Sequence, residues 1–401
     1  MAGHKEPSIK TFTDLEASKV CREAHLFITD NKERNPMKVG IVGCGLIGKR
    51  RANVVHQSKD DELIIVADID EVRVRSFAAE MDCLATTNWQ EVVNRGDIEI
   101  VIVSTTNKFL MPVTVAALEH GKHVLCEKPL GRNSDEAKKM VDAAWHAGVL
   151  LKTGFNHRHH PAIWKAHDLC SQGAIGPLMF IRAVYGHGGR PGYDKEWRAD
   201  PELAGGGELL DQGVHIVDLC RWFMGDFTDA FGSIVTYFWN LGYLPMASSH
   251  QQSTTRHQLE DNAFVLLRTD DGRVAQWHTS WTQWKNRFSF EIFGRDGYLF
   301  VDGLGGSYGL ERLIWGKRRP ESGPPAEEHF QFPEPDSSWY AEWTEFTTAI
   351  HERREPLANG TDGLQTMRLI DAIYESSRRG CFVHLDPLGE NKPNPQFLQK
   401  S

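Results

Sequence analysis

The pattern of hydrophobic and polar positions changes character near the middle of the chain. From Met37 onward, short continuous apolar runs alternate with segments whose apolar residues recur at helical spacing. Continuous apolar runs are typical of strands buried on both faces, and the intervening periodicity is typical of amphipathic helices. Residues 37–155 are therefore predicted to form a doubly wound parallel α/β sheet with helices on both faces.

Beyond about residue 175 the strand-like runs follow one another without intervening helices. Two of the connections, at Asp271-Gly272 and Asp296-Gly297, have the composition of hairpin turns. Apolar residues at helical spacing return over 338–353 and 362–379. Residues 156–386 are therefore predicted to form an α+β domain around an antiparallel sheet.

Three segments outside these patterns have an open assignment. Residues 1–36 are an N-terminal arm, in which 14–27 form either a short helix after Thr13 or a flexible segment. Residues 387–401 are rich in Pro and Asn and are predicted to form an irregular tail. The polar stretch Ser248–Asn262 is either a lid or oligomer loop, or an ordinary surface loop.

Composition narrows the class of protein. The length of 401 residues suits two domains, and a net charge of −9 disfavours a nucleic-acid partner. No apolar run approaches the roughly 20 residues that cross a bilayer, so no membrane partner is predicted. The first residues lack the apolar core of a signal peptide, and the seven cysteines form no CxxC pair. We therefore expect a cytoplasmic protein with reduced cysteines and no metal site.

A glycine-rich loop follows the first strand and opens the first helix. The run Gly43-Cys44-Gly45-Leu46-Ile47-Gly48 has the G-x-G-x-x-G spacing. In this context the first glycine permits a tight turn, the second lets a pyrophosphate approach the backbone, and the third lets helix and strand pack closely. The pattern predicts a Rossmann dinucleotide site formed by Gly43, Gly45, Leu46, Ile47 and Gly48.

An acidic residue ends the second strand. Asp68 lies twenty residues after Gly48, where a carboxylate accepts hydrogen bonds from ribose hydroxyls and repels a 2′-phosphate. Asp68 therefore favours NAD as the cofactor. Arg73 and the pair Arg50-Arg51 leave NADP open, because any of them can neutralise a phosphate.

Four segments together carry a family resemblance. They are the glycine loop, Thr105-Thr106-Asn107 with the following AALEHGKHVLCEKPL, then GFNHRHHPA, and then GGGELLDQGVHIVDLCRWFMG. In this order, over about residues 37–380, the chain resembles the glucose–fructose oxidoreductase / inositol dehydrogenase / MocA (Gfo/Idh/MocA) family. The resemblance implies a Rossmann domain followed by a domain built on a large open sheet. It also implies cofactor contacts from Thr105, Asn107, Glu127 and Lys128.

Lys128, Asp211 and His215 are the predicted catalytic residues. The resemblance implies that Lys128 reaches the substrate hydroxyl and the nicotinamide ribose, that His215 is the acid/base, and that Asp211 is its partner or a substrate ligand. Independently, Lys128 follows a parallel strand, where ligands of such sheets bind, and an ammonium there stabilises a developing alkoxide. Asp211 and His215 are spaced i, i+4, so we expect the carboxylate to orient the imidazole and raise its pKa.

Each of these residues also has a purely structural interpretation. Lys128 can form a surface salt bridge, Asp211 can cap a helix, and His215 can be a packed core histidine. Asp218 is expected to pair with Arg221 or to pack internally. The sequence also departs from the family at Thr106, where proline is usual, and at Leu110, where histidine is usual.

Further polar and aromatic residues are candidates for substrate contact. Arg158, Trp197 and Arg198 join Asp211 and His215 in the predicted substrate site. The run His157-Arg158-His159-His160 invites a metal interpretation, but no carboxylate or cysteine accompanies it, so we predict none. Trp277, Trp281 and Trp284 can stack on sugar rings, but a role in the core or in a subunit interface is the favoured interpretation.

The sequence thus predicts an NAD(P)-dependent oxidoreductase that transfers a hydride between a sugar or cyclic polyol carbinol and nicotinamide. The substrate can be free, phosphorylated or nucleotide-linked. Two alternatives remain, a redox-neutral sugar-modifying enzyme with tightly bound NAD and a non-catalytic NAD-binding regulator. The uncovered face of the antiparallel sheet predicts a homodimer or homotetramer.

Overall fold

A computed structural model describes residues 9–10, 36–58, 60–189, 192–239, 259–321 and 323–386. The predicted helix at 14–27, the tail at 387–401 and residues 248–258 of the polar loop lie outside the described residues. The strands are β1 (Ile9–Lys10), β2 (Met37–Val42), β3 (Asp61–Ala67), β4 (Leu84–Thr86), β5 (Ile100–Val103), β6 (His123–Glu127), β7 (Leu151–Gly154), β8 (Leu178–Gly186), β9 (Asp229–Val235), β10 (Asn262–Arg268), β11 (Val274–Ser280), β12 (Arg287–Gly294), β13 (Gly297–Asp302), β14 (Glu311–Lys317), β15 (Ala326–Phe332) and β16 (Val383–His384).

Ten α-helices are described, together with short 3₁₀ turns at Asn156–His159, Tyr193–Lys195 and Trp197–Ala199 and a π-helical turn at Leu209–Gly213. The α-helices are α1 (Leu46–Gln57), α2 (Glu71–Met81), α3 (Trp89–Asn94), α4 (Asn107–Glu119), α5 (Ser134–Ala147), α6 (Pro161–Ser171), α7 (Pro201–Ala204), α8 (Val214–Met224), α9 (Ser338–Glu352) and α10 (Gly360–Arg379).

The first sheet is the predicted doubly wound sheet. Its six strands are all parallel and lie in the order β4-β3-β2-β5-β6-β7. The direction of winding reverses between β2 and β5, the place where such sheets bind nucleotides. Strand β5 shows why the chain folds this way, since all four of its side chains, Ile100–Val103, are fully buried between the two helical layers.

The second sheet has ten strands in the order β1-β15-β14-β13-β12-β8-β11-β10-β9-β16. Only the pairs β1–β15 and β8–β11 are parallel, so the sheet is mostly antiparallel, as predicted. Both predicted hairpins are present. Their chain reversals fall at Asp270–Asp271 and Arg295–Asp296, one residue earlier than the sequence suggested.

Side chains of this second sheet alternate between a covered face and an outer face. On β12 the covered side carries Phe288, Phe290 and Ile292, each at most 2% exposed. This side packs against helices that include α8, and its residues share one hydrophobic core with strands of the first sheet. Because the core is continuous, the ends of β6 and β8 are held close to one another.

Helix α9 returns from the second half of the chain to the first sheet. Trp343 and Phe346 are buried in the hydrophobic cluster formed by β2, α1 and α2. The Trp343 indole N–H also donates to the Asp61 carboxylate at 2.8 Å. The predicted division into 37–155 and 156–386 therefore omits a helix that completes the core of the first unit.

No helix in the described ranges is long and apolar enough to cross a membrane. Within the same ranges, no group of His, Cys, Asp and Glu side chains is arranged to hold a metal ion.

Candidate active site

The glycine loop between β2 and α1 has the shape that a dinucleotide needs. Gly43 has φ +104°, which favours glycine, and a Cβ there would lie 2.4 Å from the Ser104 carbonyl oxygen. A Cβ on Gly48 would lie 1.9 Å from the Gly43 carbonyl oxygen, so the fold itself needs both glycines. At Gly45 a Cβ would meet nothing within 4 Å. Glycine at position 45 therefore fits the close approach of a pyrophosphate to the N-terminus of α1.

Asp68 lies beside this loop, at the end of β3. Its carboxylate accepts hydrogen bonds from the Cys44 backbone N–H at 2.8 Å and from the Asp70 backbone N–H at 3.0 Å. Arg73 lies 3.3 Å from the same carboxylate. Arg51 is buried between Glu127 and Glu342, at 2.5 Å from each, and cannot read a 2′-phosphate. Arg51 is therefore no longer a candidate ligand of the NADP 2′-phosphate, and Arg50 and Arg73 remain candidates.

A cavity of about 190 Å³ lies where the two sheets meet. It is lined by Lys128, which directly follows β6, and by residues that follow the first sheet in the chain. These residues are Tyr185, His187, Tyr193, Arg198, Asp211, Gln212 and His215. The structure therefore brings Lys128, Asp211 and His215 to one cavity at the carboxyl end of the parallel sheet.

Asp211 belongs to the π-helical turn that precedes α8. Its carboxylate lies 3.2 Å from Lys128 Nζ and 3.4 Å from Arg198 Nε, and Lys128 also donates to the Asp211 carbonyl oxygen at 2.7 Å. Burial alone would raise the pKa of Asp211, but Lys128 and Arg198 outweigh burial and hold it well below its ordinary value. Asp211 is therefore a carboxylate that fixes the two cations.

His215 is on the first turn of α8 and is only 4% exposed. Its ring stacks on His157 with the centroids 3.7 Å apart. Burial, and next the charge of Lys128, hold its pKa well below the ordinary value for histidine. The expectation that Asp211 would orient His215 and raise its pKa was wrong, because the cations occupy the Asp211 carboxylate. His215 is oriented by ring stacking and is a neutral imidazole.

Comparison with known proteins agrees with this geometry. Residues 37–155 match the family described as "Oxidoreductase family, NAD-binding Rossmann fold", and residues 163–300 match the GFO/IDH/MocA C-terminal domain. The chain is 30% identical over 272 residues to dTDP-3,4-didehydro-2,6-dideoxy-alpha-D-glucose 3-reductase of Saccharopolyspora spinosa. The aligned region covers 67% of this chain and 75% of that protein. The chain belongs to the Gfo/Idh/MocA family.

Other similar proteins agree with this assignment. 1,5-Anhydro-D-fructose reductase of Ensifer adhaerens is 28% identical over 351 residues, which is 86% of this chain and 98% of that protein. A levoglucosan dehydrogenase solved in complex with NADH has a TM-score of 0.78 at 22% identity, covering 88% of this chain and 100% of that one. This Gfo/Idh/MocA protein is accordingly an NAD-binding oxidoreductase.

In this Gfo/Idh/MocA protein, Gly45→Val is expected to weaken cofactor binding without disturbing the fold. The added side chain enters open space in the protein but blocks the path of the pyrophosphate. Calorimetry should show NADH binding weakened about 10- to 100-fold, the equivalent of one lost hydrogen bond to a charged group. Gly96→Val is the control, because a Cβ at Gly96 also meets nothing within 4 Å. Unchanged NADH affinity in Gly45→Val would exclude this phosphate site.

Two of the residues predicted to contact the cofactor, Asn107 and Glu127, form side-chain hydrogen bonds with other residues of the protein. Asn107 donates from Nδ2 to the Ala204 carbonyl oxygen at 2.8 Å, and the Glu127 carboxylate accepts from Arg51 Nε at 2.7 Å. Thr105 lies between β5 and α4 and donates to the Thr106 carbonyl oxygen. Contact of these three residues with the cofactor stays a prediction, while Lys128 lines the cavity.

Arg158 does not line the cavity, contrary to its predicted substrate contact. Its guanidinium is 3% exposed and pairs with Asp218 at 2.5 Å and with Asp362 at 3.0 Å. Asp218 thus packs internally, but with Arg158 as its ion-pair partner rather than Arg221. Arg221 pairs instead with Asp226 at 2.6 Å and contacts Asp362. This network joins the segment after β7 to α8 and α10.

Arg198 lines the cavity, whereas Trp197, the other residue predicted here for substrate contact, does not line it and packs against Arg198. The Arg198 guanidinium lies 4.6 Å from the Trp197 ring centroid. Trp277 and Trp281 are each 1% exposed and belong to the core, which is the favoured interpretation of these residues. Trp284 is 64% exposed and does not line the cavity.

The histidine-rich run is buried in a 3₁₀ turn, and its members take different partners. His157 contacts Tyr185, and His160 lies 3.1 Å from the Glu311 carboxylate. His159 stacks on Trp164 with the ring centroids 6.2 Å apart. None of these histidines lines the cavity, and His157 supports two residues that do, Tyr185 and His215.

Sequence reasoning missed Tyr185, His187, Tyr193 and Gln212, which all line the cavity. The available signal was the polar end of a strand at Tyr185-Gly186-His187. It also missed Glu208, which is fully buried at the start of the π-helical turn beside the indole of Trp281. Burial, and next the charge of Asp211, raise the pKa of Glu208 well above its ordinary value. Glu208 is thus a neutral acid close to the site.

Proposed function

We propose that this protein is an NAD(P)-dependent dehydrogenase that acts on a hydroxyl group of a sugar or cyclic polyol. The observation that carries the proposal is the cavity in which Lys128, Asp211 and His215 meet beyond β6. The names of the relatives described above refer to sugars and anhydrosugars, which supports this substrate class. The lining is mostly hydroxyl, imidazole, amide and charged groups, which suit a polyhydroxylated ligand.

The chemistry divides among three side chains. When bound, the nicotinamide ring accepts or supplies the hydride. His215 is neutral because its pKa is lowered, so it can accept the hydroxyl proton. The Lys128 ammonium stabilises negative charge as it develops on the substrate oxygen. The Asp211 carboxylate holds this ammonium in place at 3.2 Å, with Arg198 on its other side.

The size of the cavity favours a small substrate. At about 190 Å³ the cavity holds a single sugar or cyclitol ring. We propose a free monosaccharide, anhydrosugar or cyclitol as the substrate.

The test is a substrate screen with D-glucose, D-xylose, levoglucosan and myo-inositol, each with NAD and with NADP. We expect net formation of reduced cofactor with at least one of them, and preference for NAD. Product formed without net reduced cofactor would instead indicate a redox-neutral enzyme. Cofactor binding without any turnover across a wider panel of sugars would indicate a regulatory protein.

We infer that the enzyme works in the cytoplasm. The six cysteines in the described ranges are free thiols, and disulfides are typical of oxidising compartments. Burial raises the pKa of Cys44 and of Cys126 to about 12, so both remain protonated thiols.

We also propose that the outer face of the ten-stranded sheet binds a second copy of the chain. The face is rich in aromatic pairs, such as Phe180 stacked on Phe293 with the centroids 4.4 Å apart and Phe264 stacked on His278 at 4.1 Å. Phe264 is 40% exposed in the single chain. Aromatic residues concentrated on an open face are typical of subunit interfaces.

Light scattering tests this assembly directly. Wild-type protein is expected to be a dimer or tetramer, and Phe293→Glu is expected to shift it to monomer, because a carboxylate would be desolvated at the centre of the face. Trp145→Glu is the matched control, since Trp145 is 45% exposed on α5, away from this face. A wild-type monomer at working concentration, or an unchanged mass for Phe293→Glu, would contradict the proposed interface.

A further inference from the structure

A row of hydrogen bonds runs from the cavity wall into the protein. Tyr185 lines the cavity, and its hydroxyl lies 3.2 Å from His157 Nε2. His157 Nδ1 in turn lies 3.2 Å from Asn156 Oδ1, and Asn156 Nδ2 donates to Ser338 Oγ at 2.9 Å. All four residues are at most 6% exposed, so water does not compete for these bonds.

The donor and acceptor of each hydrogen bond in this row are determined by Asn156 and Ser338, which lie farthest from the cavity. Because Asn156 uses its amide N–H toward Ser338, its oxygen faces His157, and an amide oxygen only accepts. His157 Nδ1 therefore carries the ring proton. Burial, and next the neighbouring His215, hold the pKa of His157 well below its ordinary value, so the ring has one proton only. His157 Nε2 is then an acceptor, and the Tyr185 hydroxyl must donate to it.

Donation to His157 decides what Tyr185 can offer to a ligand. Burial raises the pKa of Tyr185 well above its ordinary value, so the residue is a neutral phenol with a single proton. The tautomer of His157 directs that proton to His157 Nε2, and the oxygen keeps its lone pairs for the two groups it faces, the neighbouring Tyr308 hydroxyl and the cavity. Toward the cavity, Tyr185 is therefore a hydrogen-bond acceptor and not a donor.

We propose that Tyr185 determines specificity by accepting a hydrogen bond from a second hydroxyl group of the substrate, beside the one deprotonated by His215. The ring centroids of Tyr185 and His215 are 6.4 Å apart, a span over which one sugar ring presents two hydroxyls. The inference rests on the proposed function and adds a requirement to it. The substrate must be a diol in this region, and a deoxy sugar leaves the Tyr185 oxygen unpaired.

The first test uses the wild-type enzyme. For whichever of the four screened sugars is turned over, deoxy and deoxyfluoro analogues are compared position by position. At one position besides the oxidised one, removal of the hydroxyl should lower kcat/KM about 10- to 100-fold, the effect of an unpaired buried acceptor. Fluorine accepts but does not donate, so the fluoro analogue should be as poor as the deoxy analogue. A fluoro analogue as good as the parent sugar would show that Tyr185 donates and would overturn the proposal.

The second test couples the substrate hydroxyl to the tyrosine. Tyr185→Phe should lose about the same factor on the parent sugar but almost nothing on the deoxy analogue, because both changes remove the same hydrogen bond. Tyr298→Phe is the control, since the Tyr298 hydroxyl also makes a hydrogen bond, which it donates to Glu327, but does not line the cavity. Equal losses of Tyr185→Phe on both sugars would assign Tyr185 a structural role. Such a result would leave the dehydrogenase assignment intact, whereas failure of that assignment would appear as an enzyme inert toward every sugar.

If no sugar is turned over, calorimetry on the NADH-loaded protein applies the same comparison to binding. D-Glucose and its deoxy analogues are the probes, with wild type and Tyr185→Phe as the proteins. Selective loss of affinity for one deoxy analogue, abolished in Tyr185→Phe, supports the inference without turnover. Equal affinity for all of these sugars, or no binding of any of them, would contradict it.

Discussion

Replacement of His215 by alanine is expected to lower kcat about 10²–10⁴-fold, the usual contribution of a positioned general base, with NADH affinity nearly unchanged. Of the cavity residues, Lys128 donates to Asp211, and Asp211 is held as a carboxylate by two cations. The cavity has two imidazoles, and His187 uses its Nδ1 lone pair to accept from the Gly189 backbone N–H at 2.8 Å. His215 makes no such bond with the described residues through its Nδ1, so it is the imidazole we assign as the base. Its lowered pKa also gives an expected pH profile, because the imidazole loses activity as a base only when it is protonated. Oxidation by the wild type should therefore persist below the ordinary pKa of histidine, about 6.5, and fail at more acidic pH.

The measurement is kcat against pH for wild type and His215→Ala on the substrate that the screen identifies. His167→Ala is the matched control, since His167 is also stacked on an aromatic ring, Trp222, but does not line the cavity. It should retain both the rate and the pH profile. If His215→Ala retains them as well, His215 is a packing residue and the base lies elsewhere.

Lys128→Met is expected to lower kcat/KM about 10²–10³-fold, comparable with removal of one oxyanion-stabilising donor. The ammonium is lost from the side of the cavity where charge develops on the substrate oxygen. The substitution should also raise the pKa of Asp211, because Lys128 is the largest influence that opposes the effect of burial on that pKa.

The control for Lys128→Met is Lys138→Met. Lys138 also forms an ion pair, with Asp142 at 2.6 Å, but lies exposed on α5. Its replacement should leave kcat/KM unchanged. An equal effect of the two substitutions would mean that Lys128 acts through stability and not through charge in the cavity.

The elements of the first sheet could be predicted because their signals are local. The apolar run of β2, the glycines after it and Asp68 lie within about thirty residues, and each has a steric or electrostatic reason to be where it is. The burial of Arg51 in an ion pair could not be predicted in this way. Its partner Glu342 is 291 positions away, so nothing near Arg51 distinguishes a phosphate ligand from half of a buried ion pair. Arg158 and Asp362 present the same difficulty at a separation of 204.

The environment of His215 was mispredicted for a different reason. Spacing of i, i+4 relates two side chains correctly only along a regular α-helix, and Asp211 lies in a π-helical turn with wider hydrogen-bond spacing. The ring that does contact His215 comes from His157, in a separate 3₁₀ turn. Tyr185 reaches the cavity from β8 of the other sheet. Contacts of this kind depend on the packing of the two sheets and have no local signature.

The return of α9 to the first sheet limits how this protein can be recombined with its relatives. A fragment ending near residue 155 would lack Trp343 and Phe346 and would expose the apolar surface that they cover. It would also leave Arg51 and Lys152 buried without Glu342 and Glu345. A chimera made to exchange cofactor preference should therefore transfer α9 together with the first sheet, so that the exchanged module is discontinuous in the gene although continuous in space.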